Sequence, residues 1–407
     1  MKRLFSEPRL SAAGVFSGCG GMDYGAMLAG FELVAASDRD EIAIETYRRN
    51  VSPNATVADM ATAPPVIPRG VDLLLGGPPC QGFSSAGPKR DNDPRNSLWT
   101  TYLALVEKVR PKAFLLENVY GFASQLDAFL TALRLATGDA YDVEYRKINA
   151  QFFGVPQHRL RLFVCGIRRD AAAGVVWPQP TVEEFWGYRE WSDGLVSMSE
   201  AAQDLGPATA CTSPRALSWS NSHEYLPLEQ SHYDIARHVP NGGSLRSIPD
   251  ESLPNPYRGR ERTNRGWPWY YRKPSPELTA RTVTASTRPI YSQVLAPDVE
   301  VVRHGEGWRW HPIVASEHTD SRGLYTSPIP PRRLTVQECA RLQTFPDDFV
   351  FHGNIFDKYR LIGNAVPVVL AKRLCEAIAA ALEKKPKQAR KTRHKAKSNV
   401  FAPRKVP

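Results

Sequence analysis

The stretch Gly76-Gly77-Pro78-Pro79-Cys80-Gln81-Gly82-Phe83-Ser84 sets a thiol at the apex of a turn. The apolar run 71–75 before it reads as a buried strand, which two glycines and two prolines stop and turn sharply. A cysteine at the C-terminal lip of an α/β strand stands where such sheets do chemistry, and a thiolate is a nucleophile. The competing reading is a buried packing thiol. A second group lies on the same sheet edge: Ala113-Phe114-Leu115-Leu116 reads as a strand with Glu117-Asn118-Val119 at its lip. A carboxyl there can move protons, and its place directly after a buried strand argues against an ordinary surface acid. Arg159 and Arg161 are two apart, so in extended chain they point the same way. Paired guanidinium groups suit an anionic or carbonyl-bearing ligand.

The elements that must hold these groups follow an α/β pattern. Residues 10–16 read as a strand, 17–25 as a glycine turn entering a helix through Ala29, and 35–38 as the end of a second strand. The turn suits close approach of backbone to a ligand, and Asp38, about 20 residues past the first glycine, suits ribose hydroxyls. A helix over 41–49 leads to a third strand end, followed by Asp59-Met60. Polar or acidic groups at three successive strand ends suit an adenosine-bearing cofactor. No G-x-x-x-x-G-K-[ST] run is present, which disfavours a P-loop nucleotidase. Beyond Cys80, residues 91–96 are turn-rich. Ser97 opens a helix with Leu98, Tyr102, Leu105 and Val109 on one face, and 141–149 and 162–166 read as strands. The expected fold is doubly wound and Rossmann-like.

Composition bounds the rest. The 407 residues suffice for two domains, and the apolar fraction of 42% is that of a globular protein. No apolar run approaches the ~18 residues of a membrane span, and the N-terminus has no apolar signal region. Six scattered cysteines without a C-x-x-C pair disfavour zinc and a disulfide scaffold, and a cytoplasmic setting is expected. Of the formal charge of +10, all lies in 384–407, where ten Lys/Arg meet no acid; the remainder balances 42 basic against 42 acidic residues.

In order and spacing these pieces resemble the DNA (cytosine-5)-methyltransferases. The resemblance rests on Phe16-Ser17-Gly18-Cys19-Gly20-Gly21, Asp38, Asp59, Pro78-Pro79-Cys80-Gln81-Gly82-Phe83-Ser84, Glu117-Asn118-Val119 and Gln157-His158-Arg159-Leu160-Arg161. It resumes with Arg333-Leu334-Thr335 through Glu338, Arg341-Leu342-Gln343, Phe345-Pro346 and Gly363-Asn364-Ala365-Val366-Pro367, covering roughly 10–170 and 330–382. Two positions depart from it. Gly14 stands where the family usually has an acid, and Asp38-Arg39 where a glutamate and an apolar or aromatic residue are common. The resemblance implies S-adenosylmethionine as methyl donor and a flipped cytosine in duplex DNA as substrate. It casts Cys80 as nucleophile, Glu117 as acid at N3, Arg161 on O2 and Arg159 as support for a loop or a phosphate. Cofactor contacts implied are Phe16, Gly18, Cys19, Gly21, Asp38, Arg39, Asp59, Met60, Pro79, Leu98, Asn364 and Ala365. It further implies a stand-alone bacterial modification enzyme: a monomer, associated with the nucleoid, acting on the same site as a cognate restriction endonuclease.

Residues 175–325 have another texture, rich in Pro, Trp, Arg and Ser with weak periodicity, as expected of loops that read DNA. The window 258–273 carries six cations against one acid among aromatics, so Arg258, Arg260, Arg262 and Arg265 are candidate DNA contacts, with Thr282 and Thr284 in a second window and Gln81 and Ser84 beside the thiol. The expected organisation is a catalytic domain over 10–174, a target-recognition domain over 175–325, a return segment over 326–383 and a basic tail over 384–407. Two other readings compete: an RNA cytosine methyltransferase, disfavoured by the large irregular 175–325 region, and a catalytically silent DNA-binding protein, disfavoured by the full set Cys80, Glu117 and Arg161.

A neutral body that binds a polyanion should draw on its tail. If three or four tail cations engage phosphates, deleting 384–407 should flatten the plot of log K against log salt by about three units, equally for specific and random duplexes. Binding across a salt series checks this; an unchanged slope makes the tail a bystander.

Overall fold

The computed structural model describes residues 9–79, 98–182, 194–253, 272–285 and 295–384. Its centre is a seven-stranded sheet in the order β3-β2-β1-β4-β5-β7-β6. The strands are β1 (Ser11–Val15), β2 (Glu32–Asp38), β3 (Ala55–Val57), β4 (Leu73–Gly76), β5 (Ala113–Val119), β6 (Tyr141–Asn149) and β7 (Leu160–Arg168). All neighbours pair in parallel except β7, which runs antiparallel to both β5 and β6. Strand order reverses between β1 and β4, the point at which doubly wound sheets bind ligands.

The central strands are buried on both faces, which is why β4 and β5 read as unbroken apolar runs. Alternate residues go to opposite sides. Ala12, Leu73, Leu75, Ala113, Leu115 and Phe163 face one helix layer, while Ala13, Leu74, Phe114, Leu116 and Val164 face the other. The first layer holds α1 (Gly21–Leu28). The second holds α3 (Leu98–Val109) and α4 (Leu126–Thr137), and α2 (Glu41–Asn50) packs beside β2 and β3. Gly76, which ends β4, serves space rather than turn geometry, since it has no positive φ. A methyl group on Gly76 would overlap the ring of Tyr102, whose hydroxyl donates to Leu74 O at 3.1 Å.

Beyond β7 the chain holds short pieces: α5 (Met198–Ala202), a two-residue pair β8 (Thr209–Ala210) and β9 (Glu224–Tyr225), α6 (Gln230–Ala236), and a hairpin of β10 (Val299–His304) and β11 (Gly307–Pro312). A small core of Ile235, Ala236, Val239, Leu245, Ile248, Leu253, Leu295 and Leu324 sits here. Beside it a fully buried ion pair joins Lys273 to Asp298 at 2.6 Å, and Tyr325 OH donates to the same Asp298 oxygen at 2.6 Å. Apolar contact does not break near residue 325: Met198, Ala202, Val283, Val299 and Trp310 share one cluster with Leu334, Val336, Phe345 and Ile362.

The return segment begins with α7 (Val336–Leu342), opened by a capping box: Glu338 N donates to Thr335 Oγ1 at 3.0 Å, and Thr335 N to Glu338 Oε2 at 2.8 Å. After α8 (Ile355–Asn364), Pro367 caps α9 (Val368–Glu383). Helix α9 lays Leu370, Ala371, Leu374 and Ile378 into the first layer beside α1. The approach is close at Gly25, where a methyl group would stand 2.5 Å from Ala371 Cβ and 2.7 Å from Lys372 N. Among the described residues no helix is long and apolar enough to cross a membrane.

Gly25→Ala should therefore overpack this contact and cost about 1–3 kcal/mol. Thermal unfolding would register a lower midpoint, and trimming Ala371 to glycine should not restore it, because the Lys372 backbone still stands in the way; unchanged stability in the single variant would contradict the packing.

Candidate active site

The sheet brings the ends of β1, β4, β5 and β7 together. At β1, Phe16 and Gly18 both take φ 54°, left-handed for a non-glycine residue in the first case. Gly18 N donates to Asp38 Oδ2 at 2.8 Å and Asp40 N to Asp38 Oδ1 at 2.9 Å, so the acid ending β2 anchors the turn after β1. Burial raises the pKa of Asp38, against the pull of those two amides. A Cβ on Gly18 would meet nothing within 4 Å, so the turn faces open space. Arg39 and Asp59 are exposed beside it, Asp59 accepting from Ala61 N at 2.8 Å, and Met60 is buried.

At β4, the carbonyl of Pro78 accepts from Asn118 Nδ2 at 3.0 Å, tying the proline turn to β5. A Cβ on Gly77 would lie 3.7 Å from Glu117 Oε2 and 3.9 Å from Phe16 O. Glu117 thus faces Gly77, just past β4 and three residues before Cys80 in sequence, and Arg161 Nε pairs with Glu117 Oε1 at 3.0 Å. Both side chains are mostly buried, at 17% and 14% exposure. Cys80, Gln81, Ser84, Arg258, Arg260, Arg262 and Arg265 lie outside the described residues, as does all of the tail but Lys384. Pro79 and Leu98 flank the gap after β4.

Two expectations about the strands need correction. Glu117 is not at a strand lip: β5 continues to Val119 because antiparallel β7 supplies partners, with Glu117 opposite Phe163. Arg159 and Arg161 do not form a parallel pair. Arg159 is 2% exposed and donates to Val283 O at 3.0 Å and Gly363 O at 2.9 Å, so its charge is spent on the chain's own carbonyls. The thiol of Cys19 turns to Leu361 O at 3.5 Å, and burial pushes its pKa up to about 12. Gly21 is a packing position, since a methyl group there would stand 2.5 Å from Val366 O and 3.0 Å from Ala365 Cβ. Ala365 is buried and Asn364 exposed. Thr282 Oγ1 donates to His158 O at 2.7 Å.

Other residues matter that chemical reading did not single out. Gln157 Oε1 accepts from Val283 N at 2.8 Å, while its Nε2 donates to Leu342 O and Gln343 Oε1, each at 3.0 Å. Gln343 Nε2 donates to Ile362 O at 2.7 Å and Ala365 O at 3.0 Å. Both amides are fully buried. A methyl on Gly363 would overlap the backbone of Thr284 and Ala285, so glycine is needed where this segment crosses α8. Only the motif positions of these residues mark them in the sequence; their partners lie up to 186 residues away. Among the described residues no cluster of His, Cys, Asp or Glu could hold a metal.

Gln157→Leu would strand the Val283 amide, the Leu342 carbonyl and the Gln343 amide. At about 1–3 kcal/mol for each buried unsatisfied group, a loss of at least ~3 kcal/mol is expected. Denaturant unfolding measures it, and a loss under ~0.5 kcal/mol, the size of an ordinary surface change, would refute the account.

Comparison with known proteins agrees with this geometry. The profile of the family described as C-5 cytosine-specific DNA methylase matches residues 10–380. Type II methyltransferase M.NgoPII of Neisseria gonorrhoeae is 31% identical over 376 residues, covering 91% of this chain and 95% of its own. Type II methyltransferase M.MthTI of Methanothermobacter thermautotrophicus is 31% identical over 385 residues, covering 92% and 98%. Among solved structures, a DNA modification methyltransferase encoded in an E. coli prophage superposes with a TM-score of 0.62 at 20% identity, covering 92% of this chain and 100% of that one. Spodoptera frugiperda DNMT2 gives 0.57 at 17%, covering 91% and 99%, and both likenesses concern the fold alone. With a match over nearly the whole chain and the sheet that carries its motifs in place, this protein belongs to the C-5 cytosine-specific DNA methylase family.

Proposed function

We propose that this DNA methyltransferase is the modification enzyme of a restriction–modification system, converting one cytosine of a specific duplex sequence to 5-methylcytosine. The observation that carries the reading is the junction of β4, β5 and β7, where Glu117, paired with Arg161, faces Gly77. Cytosine C5 is a poor nucleophile. Addition of the Cys80 thiolate to C6 makes it enamine-like. Charge then builds toward N3 and O2, where Glu117 donates a proton and Arg161 holds the oxygen. The contact of Arg161 with Glu117 suits the two to neighbouring atoms of one base edge. Once C5 carries the methyl group, a base takes the C5 proton and Cys80 departs as thiolate. The target must leave the stack, since C5 and C6 are covered within a duplex.

The open turn at Gly18 and the acids Asp38 and Asp59 at adjacent strand ends fit S-adenosylmethionine, which when bound supplies an electrophilic methyl group. Phe16, Cys19, Gly21, Arg39, Met60, Pro79, Leu98, Asn364 and Ala365 complete the proposed cradle, several through backbone. The guanidinium plane of Arg39 suits stacking on adenine. Recognition is assigned to 175–325, with Arg258, Arg260, Arg262 and Arg265 reading DNA. Thr282 and Thr284 belong to the segment locked to the catalytic body by Gln157 and Arg159, and Gln81 and Ser84 flank the nucleophile. Residues 10–174 and 326–383 form the catalytic domain. The enzyme acts as a cytoplasmic, nucleoid-associated monomer and shares its site with a restriction endonuclease. An RNA substrate is not favoured, given the family matched.

Mapping 5-methylcytosine in DNA of expressing cells identifies the site. Duplexes with 5-fluorocytosine at that position should trap a covalent adduct, absent in Cys80→Ala. Glu117→Gln should still bind DNA but turn over on the order of 10²–10⁴-fold more slowly. An adduct in Cys80→Ala, or near-normal turnover in Glu117→Gln, would overturn these roles.

A further inference from the structure

The space beside Gly14 in β1 is filled from another element. A methyl group there would overlap Asp23 Oδ1 and stand 2.5 Å from Ser17 Oγ and 2.7 Å from Asp23 Cγ. The carboxyl of Asp23, from the first turn of α1, therefore occupies the volume of a side chain at position 14. It is 0% exposed. Its Oδ1 accepts from Tyr47 OH at 3.2 Å and Ser17 Oγ at 3.3 Å, and its Oδ2 is buried without a hydrogen-bond partner.

Such a group is costly. Desolvation pushes its pKa up to about 7. An apolar residue would fill the same space without that cost. What the carboxyl holds is the middle of the cofactor turn. Ser17 separates Phe16 and Gly18, both left-handed, and in Phe16, which is not a glycine, such strain persists only where the surroundings enforce it. The backbone of Ser17 is held by Ser37 O at 3.0 Å and that of Gly18 by Asp38. Asp23 supplies the hold on the side chain between them.

We infer that Asp23 is a positioning residue for the cofactor turn, its carboxyl fixing Ser17 so that Phe16 and Gly18 keep their binding conformation, with Gly14 its obligate partner because only glycine leaves the carboxyl room. The acid missing from position 14 is thereby delivered from the facing helix. This rests on the reading that the turn holds S-adenosylmethionine.

The test is calorimetric titration of the full chain with S-adenosylhomocysteine, with duplex DNA affinity and thermal midpoint measured on the same samples. Asp23→Ala should weaken the analogue by about tenfold or more, the scale of one lost hydrogen bond to a charged group, with DNA affinity unchanged. Asp23→Asn, which keeps an acceptor for Ser17, should bind close to wild type. Gly14→Asp alone should destabilise the protein, because two carboxyls then contest one space. Gly14→Asp combined with Asp23→Ala should recover most of the lost affinity. Wild-type affinity in Asp23→Ala, a loss in Asp23→Asn equal to that in Asp23→Ala, or a double variant no better than Asp23→Ala would each overturn the inference. If Asp23→Ala does not fold, the Asn and double variants decide. Failure of the wild-type protein to bind the analogue, or undiminished binding in Asp38→Ala, would overturn the underlying reading of the turn instead.

Discussion

Two buried side-chain amides, Gln157 and Gln343, require every one of their partners in place at once. Each lacks access to water, so a missing partner leaves a polar atom unsatisfied at about 1–3 kcal/mol. Their partners come from the 157–159 turn, from Val283, from the end of α7 and from the end of α8. Arg159 adds bonds to Val283 and Gly363. Four segments separated by long stretches of chain are thus set by one polar network, which gives little net stability but one arrangement. Two residues further, Arg161 enters β7 and meets Glu117. Locating the return segment therefore also locates the groups proposed for proton and charge management.

How much of this is legible in sequence depends on the range of the interaction responsible. The strands at the middle of the sheet are legible, because burial on both faces leaves an unmistakable apolar run, and so are the acids at their ends. The extension of β5 through Glu117 is not, since it depends on β7, whose pairing residues follow about 45 positions later. The glycines before the proline turn read as turn formers, yet Gly76 answers to the ring of Tyr102. The spacing of Arg159 and Arg161 suggests a shared ligand, whereas strand geometry begins only at Leu160 and the first guanidinium turns inward. The carboxyl of Asp23 carries a faint local sign, an acid in an otherwise apolar helix, but its meaning depends on the empty side-chain volume of Gly14.

The irregular middle of the chain shows a different economy. Its apolar core is small, and its fixed points include the Lys273–Asp298 pair with Tyr325 and the Asn241 bonds to the Asp298 backbone. A buried pair of this kind is a poor source of stability and a good source of uniqueness. It sits just after two stretches outside the described residues, 254–271 and 286–294, and so fixes where each re-enters the body.

The seating of α9 beside α1 also sets a clock. The first helix layer needs Leu370, Ala371, Leu374 and Ile378 to cover apolar residues of β1, β4 and β5, so the sheet face made early in synthesis waits for the last helix. At roughly 5–20 residues per second, the ribosome leaves that face incomplete for on the order of tens of seconds. A nascent chain of this design exposes apolar surface while its middle is still being made. Its dependence on chaperones should therefore be greatest before the final helix emerges, and early termination within α9 should yield an aggregating product rather than a shortened enzyme.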